Sequence, residues 1–160
     1  VTTTVVPFSA LKPGHHHAPA AIGRPGTAAQ IVLVQCPDFC IEDHLAARQV
    51  AVEDIVHSSD TAHLGVKSFL SDRLALELYA TIRQDPSSPD PRLRQAHIVL
   101  DDGSDDAHLT VDEAEEAVQK LLDLVGDMQR LISTARLHNA AGDSEPDMDE
   151  ALRRVRGGAA

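Results

Sequence analysis

The segment Cys36-Pro-Asp-Phe-Cys40-Ile-Glu-Asp-His44, followed by His57 and His63, is the strongest constraint on what this chain can fold into. Two thiols and three imidazoles crowd one short span, and the sequence holds only those 2 cysteines. Soft metal-ligand chemistry is concentrated there or is nowhere. A zinc ion takes about four such ligands in a tetrahedron; Cys36, Cys40, His44 and His57 supply that number, with His63 as a spare. On one regular helix Cys36 and His44 would stand about 12 Å apart along the axis, too far to share an ion. The set is expected to straddle a corner. Cys36 ends a strand, Cys40 and His44 lie one turn apart on a helix opening at Pro37, and His57 returns from another segment.

Other uses of the same residues fit less well. With His57 and His63 as the second pair the spacing is C-x3-C-x16-H-x5-H, longer between pairs than the roughly twelve residues of a nucleic-acid-reading finger. Asp38, Glu42, Asp43 and Asp60 would also turn like charge toward a phosphate backbone; Asp43 and Asp60 are better placed to orient ligand imidazoles. A redox dithiol has two residues between its cysteines, whereas this pair has three. The deaminase signature is absent, because Pro37 follows Cys36 instead of preceding it. Each cysteine or histidine alone would read as an ordinary buried or surface residue, but five together point to metal. Four protein ligands close the shell, so a structural zinc is expected. The alternative is a zinc-dependent enzyme in which water occupies an open coordination position.

Charge narrows the partners. A formal net charge of -11 repels nucleic acid and anionic lipid, and aromatics at 2% leave no stacking platform for single strands. No nucleic-acid or membrane partner is expected. No apolar run reaches the roughly 18 residues of a membrane span, and no charged start precedes an apolar stretch, so the expected location is cytoplasmic. There thiols stay reduced, which favours ligation over a disulfide. Val1 as a literal first residue, arginine in excess of lysine and abundant alanine fit a GTG-initiated gene of a high-GC bacterium.

At 160 residues the chain fits one domain with tails. Residues 1–27, broken by Pro7, Pro13, Gly14, Pro19, Gly23, Pro25 and Gly26, are expected to form a disordered arm in which His15, His16 and His17 do nothing specific. The run Gln30-Ile-Val-Leu-Val-Gln35 reads as a buried strand delivering the chain to Cys36. Residues 50–55 are ambiguous. Strands are expected at 63–70 and 74–83, the second from the alternation of Leu74, Leu76, Leu78, Ala80 and Ile82 with more polar neighbours. Ser71-Asp72 is the turn between them. The prolines of 85–91 make a loop, and a further strand spans 94–101. The acidic residues 101–106 fail the calcium-loop template and read as a solvated turn.

Thr110 with Glu113 forms a capping box, so a helix should open at Val111. Val111, Ala114, Val118, Leu121, Val125, Met128, Ile132 and Ala135 alternate three and four apart, widened by Leu122, Leu124 and Leu131. Through Leu137 that helix would measure roughly 40 Å, about twice a typical strand, so part of it should overhang its own sheet. Asn139 to Gly142 reads as its stop, residues 143–149 as an acidic linker, and Met148, Leu152 and Val155 as a weakly helical or disordered tail. The expected class is α+β: a small antiparallel sheet of about four strands packed by one long C-terminal helix, with a zinc-type knuckle after the first strand and disordered terminal arms. The domain itself spans 28–140, followed by the linker and tail at 141–160.

Gln35-Cys-Pro-Asp-Phe-Cys-Ile-Glu-Asp-His44, then Glu53-Asp-Ile-Val-His-Ser58 and Leu109-Thr-Val-Asp-Glu-Ala114, carry a resemblance. Over residues 30–137 the chain resembles an uncharacterised actinobacterial domain family with Cys-Pro-x-Trp-Cys, Asp-His, His-Ser and Leu-Thr-x-x-Glu-Ala segments. Phe39 stands where that family usually has tryptophan. The resemblance implies one domain and the residue set Cys36, Cys40, His44 and His57; it implies no activity. The expected function is a zinc-stabilised interaction or regulatory module without catalysis, meeting a protein partner or itself through helix 111–137.

Overall fold

A computed structural model describes residues 10–142, 152–154 and 156. The order is β1 (His15–Ile22), β2 (Gln30–Pro37), a 3-10 turn (Val52–Asp54), β3 (His57–Lys67), β4 (Leu74–Gln84), β5 (His97–Asp101), β6 (Asp106–Leu109) and α1 (Val111–Gly142). β1 and β2 form an antiparallel pair, and β3-β4-β5-β6 form a four-stranded antiparallel sheet in chain order. The class is α+β, as the alternation in β4 and the capping box imply. The chain divides into two compact units, residues 1–114 and 115–160, and the division falls within α1.

Three elements differ in kind from expectation, and β3, expected over 63–70, opens earlier, at His57, and ends at Lys67. His15–Ile22 is a strand, not part of a disordered arm: it pairs residue for residue with β2, from His15 opposite Pro37 to Ile22 opposite Gln30. Pro19 is tolerated because β1 has a single ladder partner, and proline is confined to such edges. The reversal after β1 uses Gly23 at φ 141°, and a Cβ there would come within 3.2 Å of the Arg48 guanidinium. Arg48 binds this loop by donating to the carbonyls of Gly23, Arg24 and Thr27 at 3.0, 2.7 and 2.8 Å.

The helix expected at Pro37 does not form. Pro37 ends β2, and the following N–H groups go elsewhere: Cys40 donates back to the Pro37 carbonyl at 3.0 Å and Ile41 crosses to Ser58 at 2.9 Å. One helical bond, Ala47 to Asp43 at 2.8 Å, remains as an isolated turn, with the Asp43 carboxylate accepting from the Leu45 and Ala46 amides. The third difference is β6, which turns the acidic stretch into a hairpin. There Asp102 accepts from the Ser104 and Asp105 amides, and Asp101 from that of Gly103.

The capping box is present in full. The Thr110 amide donates to Glu113 at 2.8 Å and the Glu113 amide to the Thr110 hydroxyl at 3.3 Å. α1 runs 32 residues, through the expected stop, to Gly142. Its large apolar side chains are exposed within the chain, from Leu121 at 41% to Leu137 at 74%. The acidic linker and the Met148 and Val155 positions of the tail lie outside the described residues, while 152–154 and 156 are helical. Among the described residues no helix is long and apolar enough to cross a membrane.

The buried apolar residues are few and small: Ala20, Ala21, Cys36, Ile55 and Val99. Cys36 is the largest fully buried side chain among the described residues. Buried beside this short list are two imidazoles of the cluster, His44 and His57.

Candidate metal centre

Each donor is delivered by a different local device. Cys36 sits at the inner end of β2, opposite His16 of β1. The Pro37–Cys40 turn folds Cys40 back toward it. His44 is fixed through its backbone, whose carbonyl accepts from the Ala21 amide at 3.0 Å, so the loop adds alongside β1. Gly23 and Gln49 continue that edge, with the Gly23 amide donating at 2.9 Å and Ile22 bridged in parallel to Gln49. His57 opens β3, and the Ile41–Ser58 bond holds that strand start against the knuckle.

The result is convergence. One donor atom each from Cys36, Cys40, His44 and His57 lies within 4.8 Å of all the others. Cys36 Sγ is 3.6 Å from His44 Nε2 and 3.6 Å from His57 Nδ1, and Cys40 Sγ is 3.7 Å from His44 Nε2. The two imidazoles meet edge to face at 5.1 Å and 85°, so neither stacks over the donor of the other. Both thiols are free.

Burial sets the protonation states. It pushes the Cys36 thiol up to about 12, helped by the hydrogen bond and charge of Cys40 and the charge of Asp38. It pulls His57 down to about 4, with positive charge on His44, His15 and His16 adding to the effect. His44 is lowered as well, again by burial, against the opposing pull of Glu42 and Asp43. At neutral pH the imidazoles present lone pairs, and the Cys36 thiol carries a proton that a cation must displace. Two sulfur and two nitrogen donors in this state can hold a metal ion.

Of the five residues singled out in the sequence, four converge and His63 does not. It lies farther along β3, stacked on Tyr79 at 4.6 Å and 14°, with Nε2 3.7 Å from Glu77. Asp43 caps the turn, and the Asp60 backbone carbonyl accepts from the Ser59 hydroxyl at 2.7 Å. Neither carboxylate is seen orienting a ligand ring. What the sequence did not signal is the role of β1: His16 faces Cys36 across the ladder and lies 3.4 Å from Asp38. A second pair was also missed, His97 Nε2 with His108 Nδ1 at 2.9 Å on β5 and β6.

Fold and donors together define a small α+β domain organised on a Cys2His2 donor cluster. Residues 20–136 match the family described as Domain of unknown function (DUF6907), and the chain belongs to that family. No curated protein and no solved structure matches it.

Proposed function

We propose that the protein is a zinc-stabilised cytoplasmic interaction module without catalytic activity, in which Cys36, Cys40, His44 and His57 close a structural zinc site. The observation that carries this reading is that Cys36 is the largest fully buried side chain among the described residues. Where aliphatic mass is so sparse, a metal on these donors would join β2, the loop of Cys40 and His44, and β3. The distances support zinc. An ion at about 2.3 Å from sulfur and 2.05 Å from nitrogen in a tetrahedron needs an S···N edge of about 3.6 Å. The three recorded edges are 3.6, 3.6 and 3.7 Å. Four convergent protein donors favour the closed shell of a structural ion over the open position of a zinc enzyme.

The interacting element in this reading is α1, pairing with a second copy. In its heptad frame Leu121, Val125, Met128 and Ile132 form the seam, and all four are exposed within the chain. Asp112, Glu113, Glu115 and Glu116 crowd the first turns, whereas Arg130 and Arg136 lie in the second half. Antiparallel pairing sets the acidic first turns of one copy against the half of the other that carries Arg136; parallel pairing sets acid against acid. Metal analysis of the purified chain with size-exclusion light scattering tests both parts. One zinc per chain and a dimer are expected. A metal-free folded protein would overturn the zinc site, and a monomer at high micromolar concentration would overturn the pairing.

A further inference from the structure

Beside the cluster, on the side where His57 is reached, lies a cleft of about 560 Å³ between β2, the end of β4 and the 85–94 loop. Its cationic lining is out of character for a chain of net charge -11: Lys12 and Arg94 border it together with His15, and no aspartate or glutamate does. We infer that this cleft binds a small organic anion, with its acidic group on Arg94 and Lys12 and its apolar body against Leu33, Val52 and Pro86.

The Arg94 guanidinium is held in place, and among the described residues neither cation is paired with a carboxylate. Arg94 is fixed by donating from Nη1 to the carbonyls of Ser88 and Pro89 at 2.9 and 3.3 Å. Its own carbonyl accepts from Gln84 at 2.9 Å, and Asp85 donates to Leu93 across the loop at 2.9 Å. Those contacts occupy one guanidinium nitrogen and leave the other N–H groups of the fork for a carboxylate or phosphate oxygen. Among the described residues neither Arg94 nor Lys12 has a carboxylate within ion-pair distance. Asp85 turns its carboxylate to the Ser87 amide at 3.1 Å, and Asp90, which feels the charge of Arg94, is held by the Arg92 guanidinium at 2.7 Å. The backbone of Lys12 is tied to β2, its amide donating to Gln35 Oε1 at 3.4 Å. His15 donates from Nδ1 to the Pro13 carbonyl at 2.9 Å, which fixes the ring at the edge of the cleft.

Size and lining agree on the ligand class. Pockets of about 300 to 1,000 Å³ take small molecules, and a few polar groups on otherwise apolar walls fix their orientation. Leu33 and Val52 are 57% and 47% exposed, more than packing within the chain requires of them. Low-dielectric walls focus the field of Arg94 and Lys12 on whatever enters.

Benzoate is the probe for the full-length chain as purified, followed by amide shifts in heteronuclear spectra. Saturable shifts are expected at Gln84, Ser87 and Arg94, and Lys12→Gln and Arg94→Gln should each weaken binding about tenfold while leaving far-ultraviolet circular dichroism unchanged. Among the described residues no ion pair or hydrogen bond holds the Lys12 ammonium, so its variant tests the charge even if the loop in Arg94→Gln loosens. Binding that survives Lys12→Gln at full strength, or equal binding of neutral benzyl alcohol, overturns the anion site. Inorganic phosphate should bind more weakly than benzoate; equal affinity overturns the role given to the apolar walls.

Discussion

Cys36 Sγ lies 3.6 Å from His57 Nδ1, although 21 positions separate the two residues in the chain. That contact joins the end of β2 to the start of β3, and thus the two-stranded pair to the four-stranded sheet. A structural zinc is worth roughly 10 kcal/mol, comparable to the roughly 5 to 15 kcal/mol of a whole domain. Cys40→Ser and His44→Ala are therefore each expected to lose zinc and the cooperative melting transition together. Full zinc content with an unchanged melting curve would sink the structural-ion reading. His63→Ala, a change outside the cluster, should alter neither.

Metal uptake should depend on pH with a definite sign. The buried Cys36 thiol, raised to about 12, holds its proton throughout the neutral range, so an ion must displace it. His57, lowered to about 4, is already neutral, and the lowering of His44 reduces what that ring can release. Affinity should rise as pH rises from 6 to 8, by at least about tenfold per unit from Cys36 alone. Calorimetric zinc titrations in buffers of different ionisation enthalpy count the protons directly. No proton release at pH 7 would contradict the assignment of Cys36 as a ligand.

These dependences rest on contacts of unequal visibility in the sequence. The Thr110–Glu113 box and the alternation of β4 are local, decided by residues within one turn or one strand, and both are legible. The four donors are legible as residue types; their geometry is not. A helix at Pro37 is locally reasonable, yet the Ile41 amide bonds to Ser58, a choice made by tertiary structure. β1 is hidden for the same reason, since its strand character comes from pairing with β2 and from the Arg48 hold on its turn. His57 and His63 are indistinguishable by spacing. Only the start of β3 abuts the knuckle, and that decides between them.

The Arg48 hold gives a test of β1. Three carbonyls receive its guanidinium, and charged donors contribute about 1.5 to 3 kcal/mol per bond before solvent exposure reduces the figure. Arg48→Met is expected to destabilise by about 1 to 2 kcal/mol. Amide hydrogen exchange should accelerate first at Ala20 to Ile22. Unchanged exchange there would mean that the β1–β2 turn holds itself.

The histidine pair of β5 and β6 fixes its own tautomers. His97 Nδ1 lies 3.0 Å from the Gln95 carbonyl, which can only accept, so that nitrogen bears the proton and Nε2 accepts from His108 Nδ1. Nitrogen-15 spectra should show the Nδ1–H form of neutral His97. His97 is 4% exposed, so His108→Ala leaves its Nε2 poorly solvated, at a cost of about 1 to 3 kcal/mol in urea unfolding. An Nε2–H tautomer would refute the direction of the pair.

Pairing of α1 in opposite directions makes a prediction that parallel pairing reverses. In the heptad frame with Leu121 and Val125 on the seam, Glu115 and Arg136 both flank it, near opposite ends of the apolar stretch. Antiparallel association brings Glu115 of one copy to Arg136 of the other, and twofold symmetry makes that pair twice. At about 0.5 kcal/mol for each exposed pair, losing both weakens the dimer about fivefold. Glu115→Arg and Arg136→Glu should therefore each raise the dimer Kd by at least that factor, and the double variant should restore it. In a parallel dimer Glu115→Arg would instead relieve crowding among Asp112, Glu113, Glu115 and Glu116, and the dimer would tighten. Sedimentation equilibrium at low salt separates the outcomes, because the same charges act in opposite senses in the two arrangements.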